Sequence, residues 1–138
     1  MDKLKRFSNG GNSLESKVSS LVSELMNART SFHKMHLKIT GLGSYAGHKA
    51  LNELYDALPE HADELAEGFQ GASEKLLEYD EPSTRVLNSV SEGISYIRDL
   101  YSMISTLQSQ LPYSEIVNEL DTIKSTLNSI KYKLLFLK

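Results

Sequence analysis

Neither cysteine nor tryptophan occurs among the 138 residues. The absence of cysteine excludes disulfides, thiolate metal ligands and cysteine nucleophiles, and it leaves the redox compartment unmarked. No apolar run reaches the roughly eighteen residues of a membrane-spanning helix. The opening stretch, MDKLKRFSNGGNS, lacks the apolar core of a secretory signal, so the expectation is a cytoplasmic protein with no membrane partner. Positive charge is in short supply too: the net charge is −3 and the pI about 5.8, which argues against a surface given over to nucleic acid. No stretch alternates polar and apolar residues with period two, so strands are not expected.

What remains is an ordinary globular composition, 40% apolar and 24% charged, sufficient for one domain with its own core. The chain divides into an N-terminal tail, residues 1–11, and a helical domain, residues 12–138. Leu14, Val18, Leu21, Leu25, Ala28, Phe32, Met35 and Ile39 step by threes and fours, as one buried helical stripe does. Asn12 and Glu15 form a capping pair ahead of it, and Gly41-Leu42-Gly43 ends it. With Ser44 as cap, a second stripe follows on Gly47, Leu51, Leu54, Leu58, Ala62, Leu65 and Phe69, with a bend expected at Pro59. ASEKLLEY is expected to form a short helix, DEPS to break the chain, and Ser83 or Thr84 to open a third stripe on Val86, Val90, Ile94, Ile97, Tyr101, Ile104 and Leu111. After a turn at Pro112, a fourth runs on Ile116, Leu120, Ile123, Leu127, Ile130, Leu134 and Leu137.

Helices of about 25 residues would each be about 38 Å long, and matched lengths suit a four-helix bundle. The first and last pairs are joined tightly and form antiparallel hairpins. The longer link between the second and third helices can cross the bundle at up to ~3.3 Å per residue. The expected fold is all-α: a ferritin-like four-helix bundle whose crossover carries a short helix.

Three of the four histidines, His36, His48 and His61, fall in the acidic stretch 36–67. His36 precedes Gly41 by as many residues as His48 follows Gly43, so an antiparallel hairpin places the two imidazoles at one height. Asp63 and Glu67 share a face of the second helix, with backbones about 6 Å apart. From His48 to Asp63 is roughly 22 Å of helix, whereas metal–ligand bonds are about 2 to 2.2 Å. The imidazole pair and the carboxylate pair therefore cannot serve one ion within one chain. A second, antiparallel copy related by a two-fold axis would bring each pair opposite its complement. His36, His48 and Asp63 each lie one step from the apolar stripe, pointing to the side of the bundle rather than its middle. Imidazole with carboxylate suits Fe(II) or Mn(II) and accepts Zn(II). The plainer alternative is a solvated amphipathic helix whose Glu60, Asp63, Glu64 and Glu67 keep it soluble.

In this spacing the chain resembles the Dps mini-ferritins, the DNA-protection-during-starvation family of the ferritin-like superfamily. His36, Gly41, His48, Asp63 and Glu67 stand at the family's separations, HADELAE is similar to its acidic segment, and KYKLLFLK to its apolar last turn. The resemblance implies a hollow homo-oligomer, a dodecamer built from two-fold dimers, in which ferrous iron is oxidised by hydrogen peroxide and stored as ferric mineral. It implies catalytic metal centres made by His36 and His48 of one subunit with Asp63 and Glu67 of its neighbour, taking iron, with manganese or zinc as substitutes. Asn52 stands where the family places an aspartate, and offers a second ion only a neutral ligand. Leu37 follows the first histidine where the family has tryptophan, and the crossover and tail are short.

Other groups read more plainly. His33 and His61 read as surface histidines, His33 with the sharper alternative of a transient iron stop. Asp56, Glu60 and Glu64 read as a solvated face that would also draw cations. Tyr45 reads as packing at the hairpin turn, with electron donation as its sharper alternative. Lys3, Lys5 and Arg6 would hold DNA phosphates collectively in an oligomer, though the short tail and acidic body weigh against DNA as the main partner. Two alternatives stand beside the iron store: a ferritin-like structural or interaction bundle with a degenerate iron site, and a DNA-binding protective protein with little iron chemistry.

Overall fold

The structure, a computed structural model, describes residues 13–138. Among these residues it holds four helices and no strand: α1 (Leu14–His36), α2 (Ser44–Ser73), α3 (Val90–Gln108) and α4 (Ser114–Phe136). The all-α expectation is met. Asn12 and the tail, with Lys3, Lys5 and Arg6, lie outside the described residues. The α1 cap is Ser13, whose hydroxyl accepts from the Ser16 N–H. α1 stops at His36 rather than at Ile39, although the Ile39 amide still reaches back to the Met35 carbonyl. The reversal follows at Gly41 and Gly43, whose φ of 92° and 82° a Cβ would resist. Gly43, not Ser44, is the residue that caps α2.

α2 is the longest element at 30 residues and runs through Pro59 without ending. The lost backbone donor falls at an exposed position, while Leu54, Leu58, Ala62 and Leu65 around it are fully buried and hold the helix in register. Leu25, Phe32, Leu100, Leu120 and Leu127 from the other three helices are likewise without exposed surface, so one core runs between all four.

The crossover corrects two expectations. Residues 74–89 contain no helix: the start of ASEKLLEY finishes α2 and the remainder is extended. As far as Tyr79, the Gln70 side chain of α2 takes the Leu77 amide and the Tyr79 hydroxyl; from Asp80 onward the cause lies in α1. The amides of Asp80, Ser83 and Arg85 donate to Ser23 Oγ, Asn27 Oδ1 and Ser31 Oγ at 3.0, 3.1 and 2.9 Å. These acceptors are spaced by fours and form one polar row along α1. Backbone donors that would otherwise demand a helical turn are satisfied by a neighbouring helix. Arg85 pins the end of the segment, pairing with Asp99 at 2.8 Å and lying 4.0 Å over the Tyr96 ring. Tyr96 stacks on Phe32 and donates to Glu24; burial, then the bond to Glu24, pushes its phenol well above the ordinary range. α3 accordingly opens at Val90, capped by Ser89 rather than by Ser83 or Thr84, and Val86 is left in solvent.

The order of contacts along the crossover fixes direction, since it travels from the Ser23 level of α1 to the Ser31 level. Lys75 pairs with Glu15 at one end of the bundle, and Gly93 sits against Met35 at the other. Lys133 bonds Glu53 at 2.6 Å between α4 and α2. α1 and α4 therefore run one way, and α2 and α3 the other. No helix among the described residues is long and apolar enough to cross a membrane.

Asn27→Ala strands the part-buried Ser83 amide, which should cost about 1–3 kcal/mol. Urea unfolding should show this as a lowered midpoint; an unchanged midpoint would mean that the crossover does not depend on the polar row.

Candidate metal centre

The glycine turn returns the chain so that the last residue of α1 meets the second turn of α2. The rings of His36 and His48 stack with centroids 3.9 Å apart and planes 21° from parallel. His36 is buried and His48 exposed. His36 Nδ1 lies 3.1 Å from the His33 carbonyl, and His48 Nδ1 lies 2.8 Å from the His36 carbonyl. The final carbonyls of a helix have no intrahelical partner, and these two are capped by imidazoles instead. A carbonyl only accepts, so both Nδ1 atoms donate, and each neutral ring keeps its lone pair on Nε2.

Tyr55 joins the pair from α2. Its ring stacks on half-buried His33 at 4.2 Å and meets His36 edge-on. Its hydroxyl is 2.7 Å from Asn52 Oδ1 and 3.4 Å from His36 Nε2. One phenolic proton serves the shorter bond, so the His36 lone pair is left with a weak partner. Asn52 is itself engaged twice, because its amide nitrogen donates to Asp56 Oδ2 at 3.0 Å. The residue expected as a weak ligand thus positions Tyr55.

Asp63 and Glu67 are exposed on α2, and the chain does not bring them to the histidines. His48 and Asp63 share one unbroken helix, roughly 22 Å apart along its axis and about 60° apart around it. Asp63 borders a shallow groove with Met26, Arg29, Thr30 and Pro59, which places it on the flank shared by α1 and α2. The two pairs therefore occupy opposite ends of the same flank.

A further set was not joined in the sequence. A ligand atom from each of His61, Glu64 and Glu119 lies within 4.8 Å of the others, between α2 and α4. His61 is buried, not the surface histidine expected; Leu58, His61 and Leu65 continue the three-four rhythm, a legible signal. Burial lowers the His61 pKa, with Glu64 and Glu60 opposing. Glu119, from α4, could not be assigned, because no stripe tells which helix faces which. Tyr45 is exposed rather than packed, with the Lys49 ammonium 5.5 Å from its ring centre.

A family profile described as Family of unknown function (DUF5856) matches residues 36–134, which include the hairpin histidines, the α2 carboxylates and Glu119. No curated protein and no solved structure matches the chain.

Long-range ¹H–¹⁵N spectra at about pH 8, above the ordinary imidazole range, should show His36 and His48 protonated on Nδ1. His61 should show the opposite tautomer. Finding Nε2–H on either hairpin histidine would overturn the assignment.

Proposed function

The chain belongs to this family of unknown function, and from its own geometry we propose that it handles ferrous iron as a mini-ferritin does, oxidising Fe(II) at centres shared between two copies of the bundle. One observation carries the reading: two stacked imidazoles, each held by a helix-terminal carbonyl through Nδ1, with the lone pair on Nε2. A hydrogen bond from the far ring nitrogen fixes the orientation of a metal-binding histidine and raises its basicity.

Two neutral imidazoles do not balance the charge of Fe(II), and the acidic residues of the same flank lie too far along α2 to help within the chain. An antiparallel second copy supplies them: His36 and His48 of one molecule face Asp63 and Glu67 of the other, and the reverse pair forms the second centre. The ligand set is then nitrogen and oxygen only, suited to Fe(II) or Mn(II) and tolerant of Zn(II). Hydrogen peroxide takes one electron from each of two ferrous ions and, with two protons, leaves as water, while the ferric product passes to mineral. Tyr55, beside His36 Nε2, orients that ring through Asn52 and Asp56. Dimers of this kind assemble in the proposal into a closed homo-oligomeric shell, a dodecamer. A second reading, a ferritin-like interaction bundle with a degenerate iron site, is favoured by Asn52, whose amide oxygen is taken up by Tyr55.

Ferric absorbance after mixing Fe(II) with peroxide should rise rapidly for the wild-type chain. It should fall to the uncatalysed background for His36→Ala with His48→Ala, and for Asp63→Asn with Glu67→Gln. Co-assembling the two inactive variants in equal amounts restores one centre in each mixed pair, about a quarter of the wild-type activity. Wild-type rates in the histidine variant would end the iron-oxidising reading in favour of the interaction bundle, and failure of the mixture to recover would end the shared centre.

A further inference from the structure

His61, Glu64 and Glu119 form a set that owes nothing to the hairpin or to a second copy. His61 sits on α2, some 20 Å along the axis from His48 and turned away from the flank that Asp63 occupies. Its surface is 9% exposed, and its buried Nδ1 has no hydrogen-bond partner. The other nitrogen, Nε2, is 3.0 Å from Thr126 Oγ1 on α4. Thr126 gives its hydroxyl proton to the Thr122 carbonyl, so it accepts from His61. Nε2 therefore carries the imidazole proton and Nδ1 the lone pair. A buried lone pair with nothing to bind is costly, and native interiors rarely leave one.

The carboxylates point the same way. Glu119 Oε1 is buried without a partner. Glu119 faces the Glu64 carboxylate from across the α2–α4 seam, with a ligand oxygen of each within 4.8 Å of the other. The helices are close here: a Cβ on Gly68 would come within 2.9 Å of Ile116 Cδ1, one turn beyond the cluster. Ligands of a tetrahedral ion lie about 3.4 Å apart at bonds of ~2.1 Å, and one imidazole nitrogen of His61 and a carboxylate oxygen of each glutamate already lie within 4.8 Å of one another.

We propose that His61 Nδ1, Glu64 and Glu119 bind one divalent cation of the zinc, manganese or ferrous class within a single chain, clamping α2 to α4. One imidazole and two carboxylates give a borderline-to-hard donor set whose two negative charges neutralise a divalent cation, and three protein ligands leave the remaining positions to water.

The test uses the full chain with His36→Ala and His48→Ala, so that the hairpin cannot contribute. Calorimetric titration with Zn(II) should find one equivalent per chain, accompanied by a higher unfolding temperature. Adding Glu119→Gln, which keeps the volume and removes the carboxylate repulsion, should weaken binding at least about tenfold and abolish the thermal shift. His61→Asn should do the same. Equal binding in the parent and in Glu119→Gln, or no binding in a folded parent, would overturn the site, while leaving the iron-oxidation measurements on the hairpin histidines untouched.

Discussion

The extended crossover depends on three side chains of α1 that accept its backbone protons. Ser23, Asn27 and Ser31 stand one above another on a single face, and the amides of Asp80, Ser83 and Arg85 reach them in order. Because those donors are satisfied sideways, residues 74–89 need no turn of their own and can travel the length of the bundle. That passage makes α2 and α3 parallel. It also occupies one side of α1, and Arg29 and the groove beside Asp63 lie on the opposite side. The flank carrying the paired imidazoles at one end and the carboxylates at the other is left uncovered.

The sequence was most informative where one helix carried the whole signal. The apolar positions at three-four spacing are the buried ones from Val18 to Met35 on α1, Gly47 to Phe69 on α2 and Ile116 to Leu134 on α4, since a helix with one wet side admits no other pattern; Leu137, placed on the last stripe, is exposed beyond the end of α4. Symmetry about Gly41 and Gly43 was enough to bring His36 and His48 to one height, and their rings do stack. Helix ends were less legible. Serine and threonine are common, and Ser83 or Thr84 looks as good a cap as Ser89 until the Ser31 hydroxyl claims the Arg85 amide. The helical reading of ASEKLLEY failed for a nearer reason: Glu74 turns left-handed at the end of α2, and the Leu77 amide and the Tyr79 hydroxyl both donate to the Gln70 side chain. Glu119 stayed hidden because partners across a helix pair depend on rotation about each axis, which periodicity leaves undetermined.

α2 presents two kinds of imidazole on two flanks. On the α1 side, carbonyls at a helix end hold the proton on Nδ1 and leave the lone pair on Nε2. On the α4 side, a threonine that has already spent its own proton holds the imidazole proton on Nε2 and leaves Nδ1 inward. The same residue type thus acquires opposite polarity from its neighbours alone, and the setting differs too: His48 of the first pair is exposed, whereas the unpartnered nitrogen of His61 is buried.

Gly93 gives the hairpin end one further property. A Cβ at that position would lie 2.8 Å from the sulfur and methyl of Met35, the residue immediately before His36. The first turn of α3 rests directly against the side chain next to the imidazole shelf, with no atom to spare between them. Gly93 thus lets α3 buttress the residue beside the histidines, so the shelf leans on a helix that contributes no imidazole to it.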